Sequence, residues 1–181
     1  MKIIGLTGKA RSGKDTVGKY LCENHGYVRV SFAEPLKDMV GALIGLDPDK
    51  LELIKDNQLP VIGYSPRELL QTLGTEWGRQ TLHENFWVDI ARAQITDLKQ
   101  RNKCSGIVIT DARFENEATM LRDMGGIMVH IDRDCSIHIP KHSSENGIKM
   151  NEEDYLIYNI GDKGELWDQV EHLLTCINSR K

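Results

Sequence analysis

Residues Gly8-Lys9-Ala10-Arg11-Ser12-Gly13-Lys14-Asp15-Thr16 combine two glycines, a lysine and hydroxyl side chains in a Gly-x4-Gly-Lys spacing. Those are the parts of a phosphate grip. Glycine accepts backbone angles that other residues resist, so Gly8 and Gly13 let consecutive N–H groups curl around anionic oxygens where a helix begins. Lys14 adds a mobile point charge for β and γ phosphates. The chemistry implied is the handling of a nucleoside triphosphate. The Ser or Thr usual directly after the lysine is absent: Asp15 stands there and the first hydroxyl follows at Thr16. Asp15 then has two open roles, facing Mg²⁺ through water or favouring the helix N-terminus electrostatically. A second acid, Asp111, closes the apolar run Gly106-Ile107-Val108-Ile109-Thr110. With the grip already in place, its expected role is to hold Mg²⁺ through water, the alternative being a structural cap.

The surrounding elements are what position these groups. Lys2–Thr7 reads as a buried parallel strand ahead of the grip, and Thr16–Cys22 as the first turns of a helix. Tyr27–Phe32 alternates as a short strand, and Glu34-Pro35 opens a second helix. Residues 46–64 form a connection with one short helix. From Pro66 the pattern predicts a helix to Arg79, with Leu70, Leu73 and Trp77 on a core side and Arg67, Gln71 and Thr75 on a polar line. A further helix carries Val88, Ala91, Ile95 and Leu98. The strand 106–110, a helix from about Phe114 to Met124 and the strand 127–131 follow, then a long polar stretch 133–154, the strand 155–160 and a last helix. Such alternation implies a parallel sheet with helices on both faces and ligands at the carboxyl ends of its strands, where the grip and Asp111 both fall.

A chain of 181 residues suits one domain, and the formal net charge of −4 argues against nonspecific nucleic-acid binding. Four scattered cysteines with no Cys-x-x-Cys pair and no metal-ligand spacing fit a reducing compartment. No apolar stretch reaches membrane-spanning length and the N-terminus lacks the pattern of a signal segment, so a cytoplasmic protein is expected.

The arrangement resembles the nucleoside monophosphate kinases among P-loop proteins, and more closely the deoxynucleoside monophosphate kinases of bacteriophage type. Besides the grip, the segments that carry this are Ser31–Lys37, Arg67–Glu76, Thr110–Glu117 and His142–Glu145. The resemblance implies an α/β P-loop NTPase fold over residues 1–181. It would be a three-layer sandwich with a five-stranded parallel sheet, a helical acceptor-binding insert at about 34–100 and a lid at about 133–154. It implies ATP-dependent phosphorylation of deoxynucleoside 5′-monophosphates with Mg²⁺, in the host cytoplasm if the source is a phage, and leaves a homodimer open.

A monophosphate acceptor is already an oxyanion near neutral pH, so charge neutralisation and alignment matter more than a general base. Arg67, Arg113 and Arg133 are therefore expected to join Lys14 in catalysis, because a guanidinium fork suits phosphate oxygens. Donor contacts are expected from Gly8, Arg11, Ser12, Gly13, Lys14, Asp15, Thr16 and Asn159, acceptor contacts from Ser31, Phe32, Arg67, Gln71, Thr75 and Glu145, and metal contacts from Asp15, Thr16 and Asp111. Trp77 and Trp87 are expected to pack, not to stack on a base. Two other classes compete: a kinase of a hydroxyl-bearing metabolite, which would need a base such as Glu34, and a nucleotide-binding regulator that transfers nothing.

Overall fold

The computed structural model describes residues 1–133 and 147–179. The element order is β1 (Lys2–Thr7), α1 (Lys14–His25), β2 (Tyr27–Val30), α2 (Glu34–Ile44), α3 (Pro48–Leu53), α4 (Pro66–Gln71), a π-helix (Thr72–Leu82), α5 (Phe86–Arg101), β3 (Gly106–Ile109), α6 (Glu115–Asp123), β4 (Ile127–Asp132), β5 (Tyr155–Tyr158) and α7 (Lys163–Ser179). Contacts divide the chain into two compact units. Unit one comprises Met1–Val30 and Gln94–Lys181, unit two Ser31–Ala93, and the boundary falls within α5.

Unit one contains a five-stranded sheet of order β2-β3-β1-β4-β5 in which every neighbouring pair is parallel. The central strands are almost continuously apolar, as burial on both faces demands. In β1 the alternation decides which face each side chain serves. Ile4 and Leu6 join Val17 and Leu21 of α1 and Leu166, Val170 and Leu173 of α7 in one core. On the opposite face Gly5 adjoins Met128 of β4 and Leu121 of α6. Helices thus cover both faces, the α/β arrangement that the strand-helix alternation implies.

Unit two is helical, with α2 contacting α3 and α4, and α4 running directly into the π-helix. The entries to α3 and α4 are capped: Asp47 Oδ1 accepts from Lys50 N at 2.9 Å, and Ser65 and Glu68 form a reciprocal capping box. Here the structure corrects a periodicity. The expected single α-helix over 66–79 becomes π-wound after Gln71, and the core side drawn on α-helical spacing dissolves. Trp77 is 37% exposed, while Gly78 and Trp87 are buried. The physical reason is pitch: wider winding moves residues spaced by three or four off the strip that an α-helix would give them. Two strands end earlier than expected, β2 at Val30 and β5 at Tyr158.

Candidate active site

The grip is built as its composition requires. Gly8 has φ +143° and Gly13 φ +112°, both in the region that favours glycine. A Cβ on Gly8 would overlap the carbonyl oxygen of Ile131 on β4, and one on Gly13 would stand 2.5 Å from Asn159 Nδ2. Arg11 takes a left-handed φ of +62° and is exposed, so its backbone shapes the turn while its side chain points outward. The chain then enters α1, where Val17 N donates to Gly13 O at 2.9 Å.

Lys14 folds back over its own loop, its Nζ donating to Gly8 O and Lys9 O at 2.7 Å each. Asn159 closes the other side. Its Nδ2 donates to Ser12 O at 2.8 Å, and its N–H donates to Asp132 O at 2.8 Å, so the residue after β5 ties the loop to the end of β4. Ser12 is 2% exposed, and its Oγ has no hydrogen-bond partner among the described residues. A buried hydroxyl left unpaired among the described residues calls for an explanation, which an anionic partner at this loop would supply. Thr110 Oγ1, at the end of β3, is likewise buried without a partner.

Asp15 Oδ1 pairs with Arg29 Nη2 at 3.1 Å in a solvent-exposed contact between α1 and β2, the arrangement that suits the helix-terminal one of its two expected roles. Thr16 is exposed on the first turn of α1, and Asp111 is half-buried just past β3. Their oxygens are hard donors that suit Mg²⁺. Among the described residues no three His, Cys, Asp or Glu side chains gather into a metal site. A pair of oxygen donors such as Thr16 and Asp111 fits an ion carried largely by phosphate and water.

Past Asp111, a residue missed at the level of sequence organises the turn. Glu117 is 2% exposed, and its Oε2 accepts from Arg113 N at 2.7 Å and Phe114 N at 3.1 Å. The sequence signal was an acid three residues past the start of a helix, the second half of a capping box. Arg113, held by its backbone in this way, is exposed, as is Arg133 directly after β4. Beneath β4, Asp154 accepts from Arg122 Nη2 at 2.6 Å, His130 Nε2 at 3.2 Å and Asn151 N at 2.9 Å. Its side chain is 2% exposed, and although burial works against the charge, these donors hold the carboxyl below its usual range.

In unit two, Ser31 and Phe32 are buried, and Ser31 Oγ accepts from Ala33 N at 3.2 Å. Arg67 is exposed and ion-paired with Asp56, Nε to Oδ1 at 2.5 Å and Nη2 to Oδ2 at 3.3 Å, while Gln71 and Thr75 are half-buried. Trp77, Phe86 and Trp87 pack on one another with ring centroids 4.8–6.1 Å apart. Glu145, with most of the stretch 133–154, lies outside the described residues. A groove of about 350 Å³ between β5 and α7 contains none of the expected residues.

A family model for deoxynucleotide monophosphate kinases matches residues 2–49 and 50–170, nearly the whole chain. The chain belongs to the deoxynucleotide monophosphate kinase family. It is a nucleotide kinase. The deoxynucleoside-5′-monophosphate kinase of Escherichia phage T5 is 29% identical, with 89% of each chain covered. The deoxynucleotide monophosphate kinase of Enterobacteria phage T4 is 23% identical over 98% of this chain and the whole of that one. A solved structure from Chloroflexus aurantiacus shares 11% identity at a TM-score of 0.57, covering 99% of this chain and 97% of the other, a likeness of fold. No helix among the described residues is long and apolar enough to cross a membrane.

Proposed function

We propose that this nucleotide kinase transfers the γ-phosphoryl group of ATP to deoxynucleoside 5′-monophosphates by in-line displacement. The observation that carries the donor half is the sealed Ser12 hydroxyl within a loop whose Gly8 and Gly13 hold backbone angles that side chains resist. The names of the phage relatives support the acceptor class.

In this reading the N–H groups of residues 8–16 bind the donor phosphates at the start of α1, and Ser12 Oγ gains the acceptor it lacks. The Lys14 ammonium exchanges two carbonyl partners for phosphate oxygens, keeping its charge at the bond that breaks. Asn159 keeps the loop open by holding Ser12 O. Thr16 and Asp111 would hold Mg²⁺, Asp111 through water; bound there, the ion neutralises β- and γ-phosphate charge. Asp15 is left to the helix terminus and Arg29. Arg113 and Arg133 stabilise charge on the transferring group. Residues of about 34–100 form the acceptor-binding region, where Arg67 leaves Asp56 for the acceptor's phosphate and Gln71 and Thr75 contact its nucleoside, with Ser31 and Phe32 as further acceptor contacts. The enzyme works in the cytoplasm.

The test is an ADP-release assay with ATP, Mg²⁺ and a panel of deoxy- and ribonucleoside monophosphates, with shikimate and dephospho-coenzyme A as controls. Turnover on one or more deoxynucleotides alone is expected. Turnover on a hydroxyl acceptor, or ATP binding with no ADP formed on any acceptor, would overturn the proposal.

A further inference from the structure

The π-helix changes which side chains share the polar line of unit two. An α-helix advances about 100° per residue, so Gln71 lies about 40° from Arg67 on α4. An i→i+5 ladder winds roughly 4.4 residues per turn, or about 82° per residue. Continued at that pitch from Gln71, Thr75 falls about 8° from Arg67 and Arg79 about 24° to the other side. The four side chains then occupy one strip roughly 65° wide, whereas α winding would leave Arg79 about 120° away. The same arithmetic puts Gly74 and Gly78 on a separate strip, and there the structure offers an independent check. Trp87 lies against both: its Nε1 donates to Gly74 O at 2.9 Å, and a Cβ on Gly78 would overlap its indole. Trp87 is 3% exposed, so the π winding is locked by a buried ring that glycine alone can approach so closely.

Arg79 is half-buried, and its Nη1 donates to Glu84 O at 3.2 Å, which fixes the guanidinium near the end of the π-helix. Arg67 and Arg79 therefore terminate one strip, separated along the axis by at most about 18 Å and less at the shorter rise of π winding. Two long side chains at that spacing, with Gln71 and Thr75 between them, match a molecule with an anion at one end and a hydrogen-bonding edge at the other.

Resting on the acceptor assignment made above, in which Arg67 takes the phosphate, we propose that Arg79 reads the acceptor's base. A guanidinium only donates, and its fork matches two adjacent acceptors, which among unpaired bases are N7/O6 of guanine and O2/N3 of cytosine and are lacking in adenine and thymine. Arg79 is thus a specificity-determining residue that favours guanine and cytosine over adenine and thymine.

The experiment measures kcat/KM for dGMP, dAMP, dCMP and dTMP, together with KM for ATP, in the wild-type enzyme and in Arg79→Ala and Arg79→Lys. The expected result is a loss on the order of 10- to 100-fold for dGMP, dCMP or both that exceeds the loss for dAMP and dTMP, carried by acceptor KM, with KM for ATP unchanged. Arg79→Lys keeps a cation and a donor for Glu84 O but not the fork, so it should lose most of that base preference at an unaltered melting temperature. It decides the matter if the alanine variant does not fold. Equal losses on all bases, or none, would overturn the role of Arg79 while leaving the kinase intact. A wild-type enzyme inactive on every deoxynucleotide would instead overturn the acceptor assignment itself.

Discussion

Gly13 and Asn159 form a pair whose energetics the geometry resolves. Gly13→Ala puts a side chain at φ +112°, a backbone cost of about 1–2 kcal/mol. Its Cβ would also stand 2.5 Å from Asn159 Nδ2, so the carboxamide must move and give up its bond to Ser12 O, about 1 kcal/mol more. The single variant should thus lose roughly 2–3 kcal/mol, a fall in melting temperature of about 5–10 °C at this chain length. Asn159→Ala removes the hydrogen bond alone and should cost about 1 kcal/mol. In the double variant the alanine at position 13 meets no carboxamide and the hydrogen bond is lost only once. It should therefore melt with Gly13→Ala, not below it, a coupling of about 1 kcal/mol. Calorimetric melting and urea unfolding of the four proteins read this directly, and titration with a nonhydrolysable ATP analogue should show affinity falling about tenfold in Gly13→Ala. Strictly additive losses would mean that Asn159 does not brace the loop, and the account of why a residue after β5 matters to donor binding would fail.

Other perturbations separate stability from function. Ser12→Ala deletes a buried hydroxyl that has no protein partner, so melting should be unchanged or slightly higher while affinity for Mg²⁺-ATP falls; a large stability loss would show the hydroxyl is already satisfied. Arg113→Ala should cut turnover on the order of a hundredfold, and an unchanged rate would remove it from the site. Chelating the metal should abolish phosphoryl transfer, and Asp111→Asn should raise the Mg²⁺ needed for half-maximal rate about tenfold. Asp154 titrates below its ordinary value in the fold, so its cluster contributes fully above about pH 4, and the contribution is lost as pH falls through the lowered value. Asp154→Ala should cost about 3 kcal/mol at pH 7, with the gap to wild type closing in acid; a pH-independent gap would contradict the ion-pair origin.

What the sequence determined by itself is local. Glycine at positions 8 and 13, an apolar strand before them and a helix after them leave the backbone one economical path, so the grip and the order of strands and helices were legible without coordinates. Asp111 at the end of an apolar strand was legible for the same reason, since a parallel sheet puts strand ends where ligands bind. The tertiary structure decided what depends on partners distant in the chain. Asp15 carries the same carboxylate whether it faces a metal or a neighbour, and only the placement of β2 shows Arg29 beside it. Asn159, expected to contact the donor, braces the backbone of Ser12 across the sheet. The winding after Gln71 is the clearest case. No residue there forbids an α-helix, and helix pitch became apparent only with the buried Trp87 indole set against Gly74 and Gly78, because a ring packed from outside a helix can select a register that local propensity does not.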